Sequence, residues 1–465
     1  MDRRTFIRSL VSATSLSPLS SSGWLARGSY SNPTLGFALP TSDQLAWQDL
    51  EVGMFIHFAP NTWQDKELDD LSTPLSQINP ELLDTDQWVA TAIELGAKYI
   101  VFVAKHVGGF CMWQTDTTDY SIRKTSWRGG HGDVLADLAG SCRKAALKLG
   151  VYISPRDDNF GAGGGGRCKT IDKQEAYNVL YRRQLTEVLS RYGEMVEVWF
   201  DGSSVVPVAD ILREYAPHSM VCQHGPDATI RGAGNEEGFA LYPAWNSVSV
   251  ADVKNGGATA MHGDPNGTVW LPTEVYVSIL RPDWFWSTTN EHYLLSLDTL
   301  LGIYYRSNGR GAQLLLNIPP NRSGLLPAAY RVRAREFGDE IRRRFGRSVA
   351  ETSGSGDTIT LSLPSSVKID HVIMQEDCTL GERVRRYRLE THSEGRWATL
   401  GTGSAIGHKR IQPIDPTVAD AIRLITTERT ARPEIRRLAA FNTNSLPPST
   451  WNAVARVPAY DEVGV

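Results

Sequence analysis

Asp201, in the run EVWFDGS, is the residue best placed by its neighbours to do chemistry. It follows Val198, Trp199 and Phe200 and precedes a glycine that lets the backbone turn, so a strand ending there presents a carboxylate beside an aromatic ring. Such a carboxylate is able to attack an anomeric carbon and form a glycosyl ester. Its plainer use, as cap of a helix beginning near Pro207, requires a long reach across the intervening residues. A second carboxyl comes from Glu236 or Glu237 in the Gly-rich stretch GPDATIRGAGNEEG. A mobile loop can swing a carboxylic acid over a leaving-group oxygen, and desolvation there raises its pKa towards protonation. His57, His106, Asp157, His224 and Asn317 also stand at or just past the ends of apolar runs.

Other chemistries lack their residues. The run GAGGGGRCKT has no lysine directly after its last glycine and no preceding strand of the phosphate-binding kind, so it reads as a flexible loop over the site. His57 is followed by Phe58 and Ala59 rather than by a second histidine, and no histidine pair sits at ligand spacing, so no metal and no cofactor is expected. No Gly-x-Ser-x-Gly occurs. The five cysteines form no Cys-x-x-Cys pair and read as buried thiols or spectators. With 48 basic against 52 acidic residues the formal charge is −4, which provides no field for a nucleic-acid backbone. Thirteen tryptophans and 16 tyrosines beside so little charge suit stacking on a neutral ligand.

The elements that must position these residues can be read from periodicity. GMFIHF, AKYIVFVAKH, LGVYISP, VEVWFDG, SMVCQHG and QLLLNIPP are near-continuous β-formers, as strands buried on both faces should be. Between them TDQWVATAIELG, DVLADLAGSCRKAALKLG, KQEAYNVLYRRQLTEVLSRYG and HYLLSLDTLLGIYYRSNG have helical spacing and a glycine stop. Strand then helix, repeated, predicts an α/β fold: a (β/α)8-like TIM barrel over 41–346, whose strand ends converge on one mouth. A basic helix, LLPAAYRVRAREFGDEIRRRFG, is followed by a Gly/Ser-rich linker, ETSGSGD, near residue 351. The pattern then turns to short alternating runs, which predict an antiparallel β-sandwich over 351–443 acting as a structural brace, with a tail at 444–465. At the other end Arg3-Arg4, then Phe6 and Ile7 before a small, weakly apolar stretch, predict a twin-arginine type export signal over about 1–30 and a periplasmic or secreted protein. No stretch is long and apolar enough for a membrane span.

Taken in order, MFIHF, WQDKE, AKH followed by GFCMW, TDYS, GVYISP, WFDG, GPD, GNE, RPDWFW and LLLNIPPNRSG resemble the α-L-fucosidases of glycoside hydrolase family 29. The likeness is nearest to the subgroup that cleaves α-1,3/1,4-linked fucose, and it continues into EDCTLGERV and AIGHKRI of the second domain. The resemblance implies a retaining exo-glycosidase acting on an oligosaccharide or glycan. Asp201 matches the nucleophile and Glu236 the acid/base, with Glu237 the alternative because the adjoining loop differs in length. His57, Glu67, His106 and Trp199 then hold sugar hydroxyls or pack on the ring, and Tyr152, Arg231 and Trp284 are further carry-overs. The implied separation of the two carboxyl groups is ~5–5.5 Å, against ~6.5–9.5 Å for an inverting pair.

The chain departs from the family at three places. The family's Lys-His-His-Asp-Gly-Phe is here Lys105-His106-Val107-Gly108-Gly109-Phe110, its Glu-Trp pair is Glu67-Leu68, and its Pro-Trp-Asp is Pro155-Arg156-Asp157. Smaller side chains at Val107 and Gly108 leave room for extra atoms on the sugar, so an α-L-galactosidase or a hydrolase of a substituted fucose-like sugar is the second expectation. A non-catalytic glycan-binding protein is the third, weakened by the retention of both carboxyl groups.

Overall fold

The computed structural model describes residues 37–202, 204–254 and 261–452. The expected export signal and residues 453–465 of the tail lie outside the described residues. Eight parallel strands form one sheet: β1 Val52–Ile56, β2 Tyr99–Lys105, β3 Lys148–Ile153, β4 Met195–Trp199, β5 Met220–Cys222, β6 Arg231–Gly232, β7 Thr273–Ser278 and β8 Gln313–Asn317. Each pairs with the next except β5, β8 pairs back onto β1, and a parallel bridge between Cys222 and Ile230 brings β5 to the start of β6. The result is the expected (β/α)8-like barrel, nearly closed. Sequence pattern locates six of these strands. Arg231–Gly232 is too short to carry a period and lies inside what reads as one Gly-rich loop, and TEVYVS over 273–278 alternates polar and apolar residues yet is buried throughout.

The pleat divides the apolar side chains between two cores. Met54, Ile56, Ile100, Phe102, Val198, Leu314 and Leu316 face the surrounding helices, whereas Phe55, Tyr99, Val101, Tyr152, Trp199, Tyr276 and Leu315 fill the barrel interior, with Trp47 from the helix Ser42–Gln48 packed against them. Helices Thr85–Leu95, Val134–Ala145, Ile171–Arg191 and Leu297–Arg306 follow β1, β2, β3 and β7. Val134–Ala145 stops before Gly150 because Ala146 takes a left-handed conformation (φ 55°) and Lys148 already belongs to β3. The basic helix runs Ala328–Phe345.

The second domain is one antiparallel sheet of six strands: β9 Ala350–Ser355, β10 Thr358–Glu376, β11 Val384–Ser393, β12 Arg396–Gly403, β13 Arg410–Arg429 and β14 Glu434–Phe441, in the order β9-β14-β10-β13-β11-β12. The stretch that reads as a linker is therefore largely edge strand β9, whose residues alternate between partly buried and exposed and carry almost no apolar side chains. Four of the short runs merge into two long strands, β10 and β13, whose register breaks at Ser362/Val367, around Pro364, and at Ile369/His371. One half of this pair carries β14 and β9, and the other carries β11 and β12. Both halves share one core, in which Ile359 and Leu361 meet Ile435 and Leu438, so the sheet folds on itself as a sandwich.

The sandwich holds the barrel through two sets of contacts. At the closed end, His408 and Lys409 meet Asp49 (2.8 Å) and Glu51 (2.7 Å). Beside this it grips the segment joining β6 to β7: Glu382 accepts hydrogen bonds from Asn246 N (3.0 Å) and Nδ2 (2.7 Å), Arg385 lies over the Trp245 ring, and Tyr242 bonds Ser404 and Ala405. Part of the expected tail is docked as well, since Trp451 packs on the barrel and Ser449 bonds Asp298. Replacing Glu382 by alanine strands a buried Asn246 donor, at a cost of about 1–3 kcal/mol. Urea denaturation of Glu382→Ala is expected to show a correspondingly lower midpoint, and an unchanged midpoint would contradict the brace.

Candidate active site

The C-terminal strand ends do converge, but not with every residue expected there. His57, His106, Asp201 and Asn317 join one constellation. Asp157 turns away to a fully buried pair with Lys105 (3.2 Å), and His224 packs on the Phe200 ring (4.5 Å) beside Asp227. Both are strand-end residues serving the protein's own interior.

Asp201 emerges two residues after β4 with a left-handed backbone (φ 52°), followed by Gly202 at φ 95°. A non-glycine residue in that conformation costs roughly 1–2 kcal/mol, so the turn needs an outside hold. Gln223, just past β5, supplies one: its Oε1 accepts from Gly202 N at 2.6 Å while its Nε2 faces Tyr276 Oη at 3.4 Å. Tyr152 donates its hydroxyl to Asp201 Oδ2 at 2.6 Å, and Oδ1 has no hydrogen-bond partner among the described residues. The protein around the carboxyl raises its pKa, while the Tyr152 hydrogen bond and the Arg156 charge pull it back down. The side chain is nevertheless open to solvent at the mouth, and water there screens the upward push.

Beneath Asp201 the rings of His106, Tyr152 and Trp199 form a column, with centroids 5.6 and 6.3 Å apart and planes within 18° and 23°. Trp199 is the buried base of this column rather than an exposed platform. His57 and Trp284 make the adjoining wall, 5.0 Å apart. Asn317 ties the wall together. Its Nδ2 donates to the Trp284 carbonyl (2.8 Å), which can only accept, so Oδ1 must be the atom facing His57 N and Nδ1 (2.8 Å to the ring). That arrangement puts the ring hydrogen on Nδ1 and leaves Nε2 an acceptor. Burial holds His57 well below its usual value, helped by His106, and pushes His106 down to about 3, helped by Arg156, so both rings are neutral.

Glu67 accepts from Trp284 N (2.9 Å) and Phe285 N (3.3 Å), fixing the segment that carries the wall. Burial pushes its carboxyl up to about 7, against those two donors, and the charges of Asp283 and Glu236 add to the push. Trp284 in turn donates Nε1 to Glu236 Oε2 at 3.2 Å. The neighbouring Glu237 is held by Arg281 at 2.7 Å, whereas Glu236 lies 3.7 Å from the same guanidinium. Of the two glutamates, Glu236 is the one tied to the aromatic wall.

Arg231 is not part of this constellation: it is fully buried, and its guanidinium donates to the backbone carbonyls of Trp245, Met261 and Leu271. The departure at Gly108 does not open space either. A Cβ on Gly108 would lie 2.3 Å from Asp69 Oδ2, and one on Gly109 would lie 2.1 Å from Asp157 Oδ1. Asp69 is held there by Tyr120 Oη and Gln64 Nε2, both at 2.7 Å. The volume expected to admit a larger sugar is thus filled by another part of the chain. Leu68 is exposed, and Arg156 pairs with Asp158 while its charge reaches Asp201. Gln223 and Asp69 carry positioning roles that no motif signals; Gln223 stands next to His224, a more conspicuous strand-end residue. Loss of the Gln223 amide is expected to let the Asp201 turn relax, and a misplacement of about 1 Å costs roughly a hundredfold in rate. Gln223→Ala should therefore lower kcat by about ten- to a hundredfold with little change in KM, read by steady-state hydrolysis of an aryl glycoside.

A family model described as alpha-L-fucosidase matches residues 61–343. The chain is 31% identical to Alpha-L-fucosidase 1 of Arabidopsis thaliana, over 92% of each chain, and 32% identical to Putative alpha-L-fucosidase 1 of Oryza sativa subsp. japonica, over 80% of this chain and 79% of that one. Among solved structures, a putative alpha-L-fucosidase from Bacteroides thetaiotaomicron superposes with a TM-score of 0.81 at 32% identity, covering 87% of this chain and 99% of the other. These matches, spanning the barrel that holds Asp201 and Glu236 and extending beyond it, mean that the chain belongs to the alpha-L-fucosidase family of glycoside hydrolases.

Proposed function

We propose that this α-L-fucosidase is exo-acting and retaining, with Asp201 as nucleophile and Glu236 as acid/base. The observation that carries the reading is the 2.6 Å hydrogen bond from Tyr152 to Asp201 Oδ2, which orients the carboxylate and leaves Oδ1 to attack. In the first step Oδ1 bonds to the anomeric carbon while the bond to the aglycone oxygen breaks, and Glu236 gives that oxygen its proton. In the second, Glu236 takes a proton from water, whose oxygen displaces Asp201 and frees the sugar. Two inversions at the anomeric carbon give net retention. Neutral His57 and His106 suit a neutral polyol, since His57 Nε2 is available to accept from a hydroxyl. The resemblance of the sequence motifs supports a preference for α-1,3/1,4-linked fucose, and the Arg3-Arg4 leader supports export.

Several measurements bear on this reading. Asp201→Asn is expected to abolish hydrolysis of 4-nitrophenyl α-L-fucoside. Glu236→Gln should lower kcat/KM on fucosylated oligosaccharides by about 10²–10⁴, the usual worth of a positioned acid. It should spare the first step with 4-nitrophenyl α-L-fucoside, whose 4-nitrophenolate leaves unprotonated, and Glu237→Gln should change neither rate. Proton NMR of the first-formed product should show α-fucose, and β-fucose would sink the retaining mechanism. Isomeric fucosyl oligosaccharides compared at equal concentration test the linkage, with α-1,3 and α-1,4 bonds expected to be cleaved faster than α-1,2. Cell fractionation of a host with twin-arginine transport, comparing the parent with Arg3→Lys/Arg4→Lys, tests the leader.

A further inference from the structure

Below Asp201 the barrel interior holds two carboxyl groups that the proposed mechanism does not use. Glu197 on β4 and Glu274 on β7 are fully buried. The single indole N–H of Trp199 is 2.6 Å from Glu197 Oε1 and 2.9 Å from Glu274 Oε2, so the two carboxyl groups converge on one donor. Carboxylates only accept, so two of them brought to one N–H can bond each other only through a proton. The outer oxygens are also satisfied: Trp47 Nε1 donates to Glu197 Oε2 (3.1 Å) and Tyr99 Oη to Glu274 Oε1 (3.0 Å).

The titratable groups facing the pair are Tyr99 on β2 and Cys222 on β5. Burial and the pair's own charge push both well upward, so both are neutral. Trp47, and Gln313 on β8, which bonds Tyr99, carry no charge, and Tyr276 on β7 packs edge-on against Trp199 at 4.9 Å. Two full negative charges in that setting would lack compensation. In keeping with this, burial raises both glutamates, Glu197 to about 7 and Glu274 well above its ordinary value.

We propose that Glu197 and Glu274 share one proton and act as positioning residues, pinning the Trp199 indole on which Tyr152 stacks and so holding the Tyr152 hydroxyl against Asp201. The pleat makes the link direct: Glu197 and Trp199 are inward neighbours on β4, and Asp201 lies two residues further on. The positioning role rests on Asp201 being the nucleophile; the shared proton does not.

The test compares Glu274→Gln, an amide that mimics the protonated acid, with Glu274→Ala, using 4-nitrophenyl α-L-fucoside and thermal unfolding across pH. Glu274→Ala is expected to lower kcat about tenfold or more with KM within about threefold, and Glu274→Gln to recover kcat to within about threefold of the parent. Because the folded-state pKa values are raised, the pair's contribution to stability is complete below about 4.5 and is lost as pH rises to about 7 and beyond. The amide has no such proton to lose, so its Tm should fall less steeply than the parent's over that window. Equal slopes would overturn the shared proton, and a glutamine variant as impaired in kcat as the alanine variant would overturn the positioning role. Should Glu274→Ala fail to fold, Trp199→Phe removes the N–H and reduces the indole to a single ring; a kcat equal to the parent's would overturn the link to Asp201. If Asp201→Asn kept full activity, the nucleophile reading would fail while the Tm comparison still judged the proton.

Discussion

A parallel strand buried on both faces must send alternate side chains into two different cores, and in a closed barrel one of those cores is a narrow interior with a single open end. The site depends on that constraint. Along β4, Val198 faces the helices while Glu197 and Trp199 face inward. Continuing the same face past the last strand residue brings Asp201 to the mouth. The turn that presents it is left-handed and would be costly alone, so its stability is borrowed from β5 through Gln223 and from β3 through Tyr152.

The rest of the pocket follows from the polarity of its ligand. A fucosyl group is a neutral polyol with one apolar face, and a pocket of neutral histidines and stacked rings suits that polarity. The ionisable groups are kept apart by environment: Asp201 is open at the mouth and receives a hydroxyl donor, whereas Glu67 is half-buried and its carboxyl is pushed up to about 7. Glu236 stands on the exposed loop, joined to the same wall only through Trp284. One carboxyl is thus fixed by the barrel and the other by a loop whose aromatic anchor is itself held by Glu67.

That loop explains the second domain. Among the described residues, the segment between β6 and β7 has no long helix, and carries the short helix Val250–Lys254 and a two-stranded ladder of Ser247–Val248 with Val269–Trp270. Glu382, Arg385 and Ser404 of the sandwich supply the contacts such a helix would otherwise make. The sandwich therefore reaches the chemistry indirectly, by restraining the chain that leads away from Glu236.

Much of this was legible in the residues themselves. Continuous apolar runs located six of the eight strands because both faces of those strands are buried. The motif around Asp201 and the Gly-rich stretch bearing Glu236 were readable because each combines a carboxylate with a backbone that must turn. Local pattern could not tell that His57, His106 and Asn317 turn to the mouth while Asp157 and His224 do not, since all five stand at strand ends; only the approach of distant strands decides which faces the mouth. Nor could it foresee that Asp69 fills the space beside Gly108, that Arg231 spends its donors on backbone carbonyls, or that Glu274, in an alternating segment, lies against Glu197. Periodicity reports how each strand divides its own side chains between two faces. Which partners meet on the inner face is set by closure of the barrel, which brings together residues far apart in the chain, and that is where tertiary structure decided the site.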